Sequence, residues 1–408
     1  MLFLFLKSLA SIAIKYTLLI EQEICFVSKK REYMDRRSFA KALGVVSGLF
    51  ASILPASAVS KERKSRSKRP PEPVISDEAE EQIKVIQAKR NYLNPAAKGT
   101  NGKAPRKGVC TSLLFFTDVH LVPENFRKIR KFYEKHQAYI DNAIHLGDSV
   151  GAKVEPPFTM WDSFPKCLNI MGNHDSHYDY PRPKKFLTPK EKYETFFKKY
   201  VPYWNVVQPE NAEEKGLCFW YKDYNKDLRV VGIDCLRVDQ EHLKWFEKVA
   251  NDALEKKLKL VVITHIPPVR GEIVKCNFTS IDYTDNQKPY GGQKTSRFAP
   301  IIDKFIDNGG TFVSWVTGHL HHDIVNYVKD TKHKQLVITL ECATDFNWWT
   351  DANHVKGTST SCAWEIISVE SETNVLKIAR FGNNLDHYMR HKGALCYDFK
   401  KHEIISQY

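Results

Sequence analysis

The sequence predicts an α/β core of stacked sheets with helices outside, on three observations. Six apolar runs read as buried strands: 113–117 (LLFFT), 166–171 (KCLNIM), 228–234 (LRVVGID), 258–264 (LKLVVIT), 311–317 (TFVSWVT) and 335–340 (QLVITL). Helical patterns fall between several of them, at 124–143, 189–200, 239–256 and 298–308. The segments 361–369 and 374–381 then read as paired strands with no helix between them. Alternating strands and helices followed by strands is the pattern of layered α/β architecture. The final strands are expected to complete a second sheet rather than form a small accessory domain. No internal repeat interrupts this order.

The chain has 408 residues, enough for one large domain or two ordinary ones. Its apolar fraction of 42% and aromatic fraction of 12% are those of a globular protein. The net charge of +13 is unevenly placed. Residues 1–58 carry +4 and residues 59–108 carry +7, so 109–408 holds only +2. A near-neutral body argues against a duplex-binding face. None of the nine cysteines forms a CxxC pair, which removes zinc knuckles and thioredoxin motifs, and buried free thiols are expected.

Residues 34–58 have the parts of an export signal. Arg36 and Arg37 form a charged start, 42–54 is uncharged and mostly apolar, and Ala56-Ser57-Ala58 is a small-residue cleavage site. The Arg-Arg-Ser-Phe-Ala-Lys run resembles a twin-arginine signal, so the expected location is periplasmic or extracellular. Anchoring through the N-terminus is the alternative. Residues 1–33 read as a mis-assigned start or leader, because Lys7 and Lys15 interrupt an apolar run too short to span a bilayer. Residues 59–108 form a basic linker with one short helix at 77–92, and 109–408 is the expected catalytic domain.

Five polar motifs follow strand-like runs or open loops. They are Asp118-Val119-His120, Gly147-Asp148, Gly172-Asn173-His174-Asp175, Thr264-His265 and Gly318-His319-Leu320-His321. In open α/β sheets ligands bind outside the carboxyl ends of strands, so five strand ends can deliver these side chains to one place. Asp118 and His120, like His319 and His321, stand two apart, which in an extended stretch points both the same way. Carboxylates and imidazoles with one amide oxygen suit manganese, iron or zinc, and the lack of thiolate argues against a structural zinc. One carboxylate can bridge two ions, and Asp148 is the natural bridge. Two such ions, roughly 3.5–4 Å apart, clamp a phosphoryl group and lower the pKa of bound water.

In this order the motifs DVH, GD, GNHD, TH and GHLH resemble the calcineurin-like metallophosphoesterases, over about 113–322. No single motif is specific; the ordered set is. The resemblance implies a four-layer α/β/β/α sandwich of two mixed sheets flanked by helices. It implies that Asp118, His120, Asp148 and His321 hold one divalent ion, and that Asp148, Asn173, His265 and His319 hold the other. It makes His174 the general acid or charge stabiliser, with Asp175 orienting its ring. It also implies attack by metal-bound hydroxide on a small phosphomonoester or phosphodiester. One departure is Gly147-Asp148-Ser149-Val150-Gly151, where many members read GD-x-x-D.

Neighbouring residues have plainer readings. His145 is expected to be a strand residue and Asp234 a structural turn residue. His177 and His322 flank motifs. The stretch 267–297, with Arg270, Tyr283, Tyr290 and Arg297, is expected to overhang the site as a substrate lid. Tyr178, Tyr180, Trp348 and Trp349 are further candidates for stacking on a substrate ring. A nuclease of the same fold is the competing activity, disfavoured by the low charge of 109–408. A non-catalytic, metal-stabilised binding protein is the other alternative, disfavoured by the full ligand set.

Overall fold

The structure is a computed structural model. It describes residues 110–407 apart from 121, 139, 150–160, 179–184, 277, 280–291, 345–361 and 383–393. All of these belong to one compact unit, Ile75–Tyr408. The expected export signal, the helix expected at 77–92, Tyr180, Tyr283, Tyr290, Trp348 and Trp349 lie outside the described residues.

Along the chain, β1 (Thr111–Phe116), α1 (Pro123–His136), β2 (Asn142–His145) and β3 (Leu168–Asn169) come first. The two-residue strands β4 (His177–Tyr178) and β5 (Lys185–Phe186) pair with each other, and α2 (Pro189–Phe196) follows. Next are β6 (Trp220–Tyr224), β7 (Leu228–Gly232), α3 (Gln240–Glu255), β8 (Lys259–Thr264) and β9 (Arg270–Ile273). Then come α4 (Ala299–Asp307), β10 (Phe312–Thr317), β11 (Ile324–Val328) and β12 (Leu336–Thr339). The chain closes with β13 (Ala363–Glu370), β14 (Val375–Gly382), β15 (Ala394–Asp398) and β16 (Glu403–Gln407).

These strands form two mixed seven-stranded sheets. The first runs β16-β15-β14-β13-β1-β2-β3 and the second β6-β7-β8-β10-β12-β11-β9. In the first, β1, β2 and β3 are parallel and β13 to β16 antiparallel. In the second, β7, β8, β10 and β12 are parallel, and β6, β11 and β9 run against their neighbours. Successive side chains point to opposite faces of a strand, and the core follows that period. Leu260 and Val262 of β8 pack with Phe246 and Val249 of α3 and Ile302 and Phe305 of α4. Val261 and Ile263 of the same strand face the inter-sheet core. On the far side, Phe116 meets Phe126 of α1, and Trp364 meets Phe132 of α1. The order is therefore helix, sheet, sheet, helix.

Local chemistry sets several boundaries. Thr188 and Glu191 form a reciprocal capping box at α2, with Pro189 at the first helical position. The Asp239 side chain accepts from the His242 N–H and caps α3. The first helix stops at His136, short of the expected 143. Asp141 has left it to pair with β1: its N–H donates to the Ser112 carbonyl, and its side chain accepts the Ser112 N–H at 2.8 Å. The strand expected at 166–171 pairs over only two residues. It is an edge strand, and its Asn169 carbonyl is occupied by the Trp220 indole N–H at 2.9 Å. The strands after 361 do join a sheet, but it is the one built on β1. The eight described cysteines are free thiols. No described helix is long and apolar enough to cross a membrane.

Candidate metal centre

The site lies where five strand ends meet. Asp118 and His120 follow β1, Asp148 follows β2, Asn173 follows β3, His265 follows β8, and His319 and His321 follow β10. The loops are tied by backbone. The Asp118 N–H donates to the Gly147 carbonyl at 3.0 Å and the His120 N–H to the Asp148 carbonyl at 3.1 Å. The Gly318 N–H donates to the His265 carbonyl at 3.0 Å, joining the sites of β8 and β10.

The backbone here is not extended, contrary to the sequence expectation for the DxH and HxH pairs. Asp118, His120, Asp148, His319 and His321 all have positive φ, between 45° and 72°. Each left-handed non-glycine residue costs roughly 1–2 kcal/mol, so five together need firm support from their surroundings. The turns are tight enough to require glycine. Gly147 has φ 96°, and a methyl at Gly172 would overlap the backbone nitrogen and Oδ1 of Asp148.

The donors fall into two groups, Asp118 with His120 and His321, and Asp148 with His265 and His319. Within the first, His321 Nε2 is 3.1 Å from Asp118 Oδ1, and the His120 and His321 Nε2 atoms are 3.3 Å apart. Within the second, His265 Nε2 is 3.2 Å from Asp148 Oδ2. Asn173 Oδ1 stands 3.1 Å from the same nitrogen. Ligand atoms about 2.0–2.2 Å from one ion lie about 3–3.6 Å apart, which is the spacing of these pairs, and all the donor atoms of each group lie within 4.8 Å of one another. The groups adjoin, with His265 Nε2 3.9 Å from Asp118 Oδ1.

Electrostatics within the site are strong because it is buried. Burial alone would raise the Asp118 carboxyl, but His321 and His265 outweigh it and hold it well below the usual carboxylate range. Asp148 is likewise lowered against its burial, chiefly by His265. The reciprocal effect pushes His265 up to about 9, with Asp148 and Asp118 overcoming desolvation. Burial takes His319 down to about 4. Two buried carboxylates thus demand positive charge here, and this donor set is chemically suited to divalent cations.

His174 lies at the open side. Its side chain is 36% exposed, against 0% for His265, and its Nε2 is 3.9 Å from Asp148 Oδ2. Its N–H donates to Asp148 Oδ1 at 2.7 Å. Asp175 is fully buried beneath it and accepts the N–H groups of Asp148 and Gly172. Burial and Asp148 push its carboxyl up to about 7.

The remaining expectations divide. His145 is a buried strand residue with Nδ1 2.9 Å from Asn169 Oδ1. Asp234 is a turn residue that accepts the Leu236 N–H at 2.9 Å. The stretch expected to be a lid is partly an edge strand instead, since Arg270 opens β9 at the rim of the second sheet. Arg297 is taken up on the surface by the Val238 carbonyl at 2.6 Å. The sequence reading missed Arg380 of β14, which pairs with Asp323 just beyond the GHLH motif. The available signal was a lone arginine in the apolar run VLKIARF.

The sequence model of the calcineurin-like phosphoesterase family matches residues 111–323. The chain belongs to this family. Among solved structures it is similar to a dimetal phosphatase from Danio rerio, at 8% identity and TM-score 0.44, covering 67% of this chain and 96% of that one. It is also similar to a predicted phosphoesterase from Streptococcus pneumoniae TIGR4, at 11% identity and TM-score 0.30, covering 68% and 92%. A third is GAP50, described as the anchor in the inner membrane complex of Plasmodium, at 13% identity and TM-score 0.34, covering 74% and 88%. No curated protein matches the chain. The family match ends at Asp323, so β11 to β16 continue the calcineurin-like phosphoesterase sheets beyond it.

Proposed function

We propose that the chain hydrolyses a small phosphate ester with two divalent metal ions. The observation that carries this reading is the adjacency of two donor groups where strand ends of the two sheets meet, joined through His265. Asp118, His120 and His321 would hold one ion; His265, His319 and Asn173 would hold the other; Asp148 would bridge them. Manganese, iron and zinc all suit these donors. Bound there, the ions would neutralise the phosphoryl oxygens and acidify water at neutral pH.

The protein's own groups do the rest. His174 stands beside the site on its exposed side and protonates the leaving oxygen. Burial holds its pKa below the usual histidine value in the free site, and an anionic phosphoryl group beside it favours the protonated ring. The near-neutral body supports a small substrate over a nucleic-acid track. The twin-arginine-like segment supports export of a chain already folded.

The test uses the full chain reconstituted with manganese, on an aryl phosphomonoester and an aryl phosphodiester in parallel. Turnover that disappears in Asp148→Asn is the expected result, and the preferred ester sets the subclass. A protein that binds no metal and turns over neither ester would refute the reading.

A further inference from the structure

The family match stops at Asp323, and a buried charge cluster begins there. Asp323 is 1% exposed and forms an ion pair through Oδ2 with Arg380 Nη2. The other arm of that guanidinium, Nη1, is 3.2 Å from Glu341 Oε2. The Glu341 N–H donates to Asp323 Oδ1 at 3.1 Å, which closes the group. Arg380 belongs to β14, in the first sheet; Asp323 and Glu341 lie beside the ends of β11 and β12 of the second. One side chain therefore ties the loop that follows the GHLH motif to the opposite sheet.

That loop needs restraint. His319 and His321 have φ of 72° and 60°. Strained residues of this kind persist only where the surroundings over-determine them. Upstream, the His319 N–H is fixed by Asp118 Oδ2 at 2.9 Å and the Gly318 N–H by the His265 carbonyl. Downstream, two residues past His321, the Arg380 ion pair is the corresponding fixture. We infer that Arg380 is a positioning residue for the metal centre: by holding Asp323 it sets the backbone that aims His321 at Asp118 and His120. A planar guanidinium suits this task because its two arms reach Asp323 and Glu341 at once, as a lysine ammonium does not. The inference rests on the two-metal reading and assigns part of the centre to strands outside the family match.

The experiment is manganese titration of the full chain by calorimetry, below the Tm of every variant, comparing wild type with Arg380→Lys and Arg380→Met. Partners that orient metal ligands change affinity by about 10–100-fold when removed. The expected result is that wild type binds two manganese ions and Arg380→Lys binds one of them about tenfold or more weakly, with the second unchanged. Arg380→Met should behave similarly or worse. It leaves buried carboxylates without their partner, so if it does not fold, Arg380→Lys carries the same readout. A lowered Tm with both manganese affinities intact would make Arg380 a purely structural residue and overturn the inference. Wild type binding no manganese would instead overturn the two-metal reading, and this inference with it.

Discussion

One oxygen of Asp175, Oδ2, accepts the backbone N–H of Asp148 and that of Gly172, each at 2.9 Å. Two loops that carry candidate ligands, Asp148 and Asn173, are thereby tied at a single buried point. Asparagine keeps one such oxygen and alanine keeps none. Asp175→Asn should therefore retain two metal ions and most of its thermal stability. Asp175→Ala leaves two buried N–H groups unpaired, at about 1–3 kcal/mol each, and should lose several degrees of Tm together with metal content. Metal analysis of the two purified variants checks this. Equal metal content in both would show that the tie does not shape the site.

Gly172 has no room for a methyl group, since a Cβ there would overlap the backbone nitrogen and Oδ1 of Asp148. Gly172→Ala must push Asp148 away from His265, now 3.2 Å distant. A loss of bound manganese by at least about tenfold is expected, because donor spacing decides coordination. Equilibrium dialysis against manganese is the measurement. Unchanged affinity would mean that Asp148 is not held where the geometry places it.

His174 is separable from metal binding. It belongs to neither donor group and lies more open than His265. His174→Ala should keep both ions and lower kcat by about 10²–10⁴, the usual contribution of a positioned proton donor. The loss should shrink on aryl esters with acidic leaving groups, which need less protonation. A uniform loss across leaving groups would assign His174 to charge stabilisation instead.

How much of this was legible in the sequence follows from what each residue depends on. The strands at 228–232, 259–264 and 312–317 were readable because both faces are buried, so each is mostly apolar, with Arg229 and Ser314 as buried exceptions. The candidate ligands were readable because glycines and strand ends bracket them. The left-handed turns at Asp118 and His321 were not, since the carbonyls and carboxylates that stabilise them lie far along the chain. Helix α1 was overextended for the same reason: Asp141 is drawn off by Ser112 of β1, a contact no local pattern reveals. Arg380 finds its partners across the two sheets, which only the folded topology brings together.

Two buried histidines that belong to neither donor group should make the protein acid-labile. Burial takes His145 and His242 down to about 4 despite hydrogen bonds to Asn169 and to the Arg237 carbonyl. A depressed histidine favours the folded state fully above the unfolded pKa of about 6.5 and loses that contribution as pH falls towards 4. For each histidine the loss is on the order of 3 kcal/mol by pH 4. Urea midpoints should therefore fall between pH 6.5 and 4, and less steeply in His242→Phe, whose ring can keep the stacking on Phe219. An identical slope in that variant would show that His242 protonates without strain.

Glu365 sits directly opposite Arg380 on β13, fully buried, with neither carboxylate oxygen hydrogen-bonded. Arg380 is already engaged by Asp323 and Glu341. Burial, reinforced by Glu341, therefore raises the Glu365 carboxyl well above the usual range, which favours its protonated form in the fold. The unfolded chain has no such constraint and ionises it above about pH 4.5. The contribution of this group to stability is thus complete below that pH and declines as pH rises towards the folded pKa. Glutamine has the same shape and cannot ionise. Glu365→Gln should match wild type in Tm near pH 4.5 and exceed it increasingly up to pH 8, as a thermal denaturation series would record. A variant less stable than wild type at pH 8 would mean the reverse: that Glu365 is ionised and shares the Arg380 guanidinium, making the cluster a four-membered charge network.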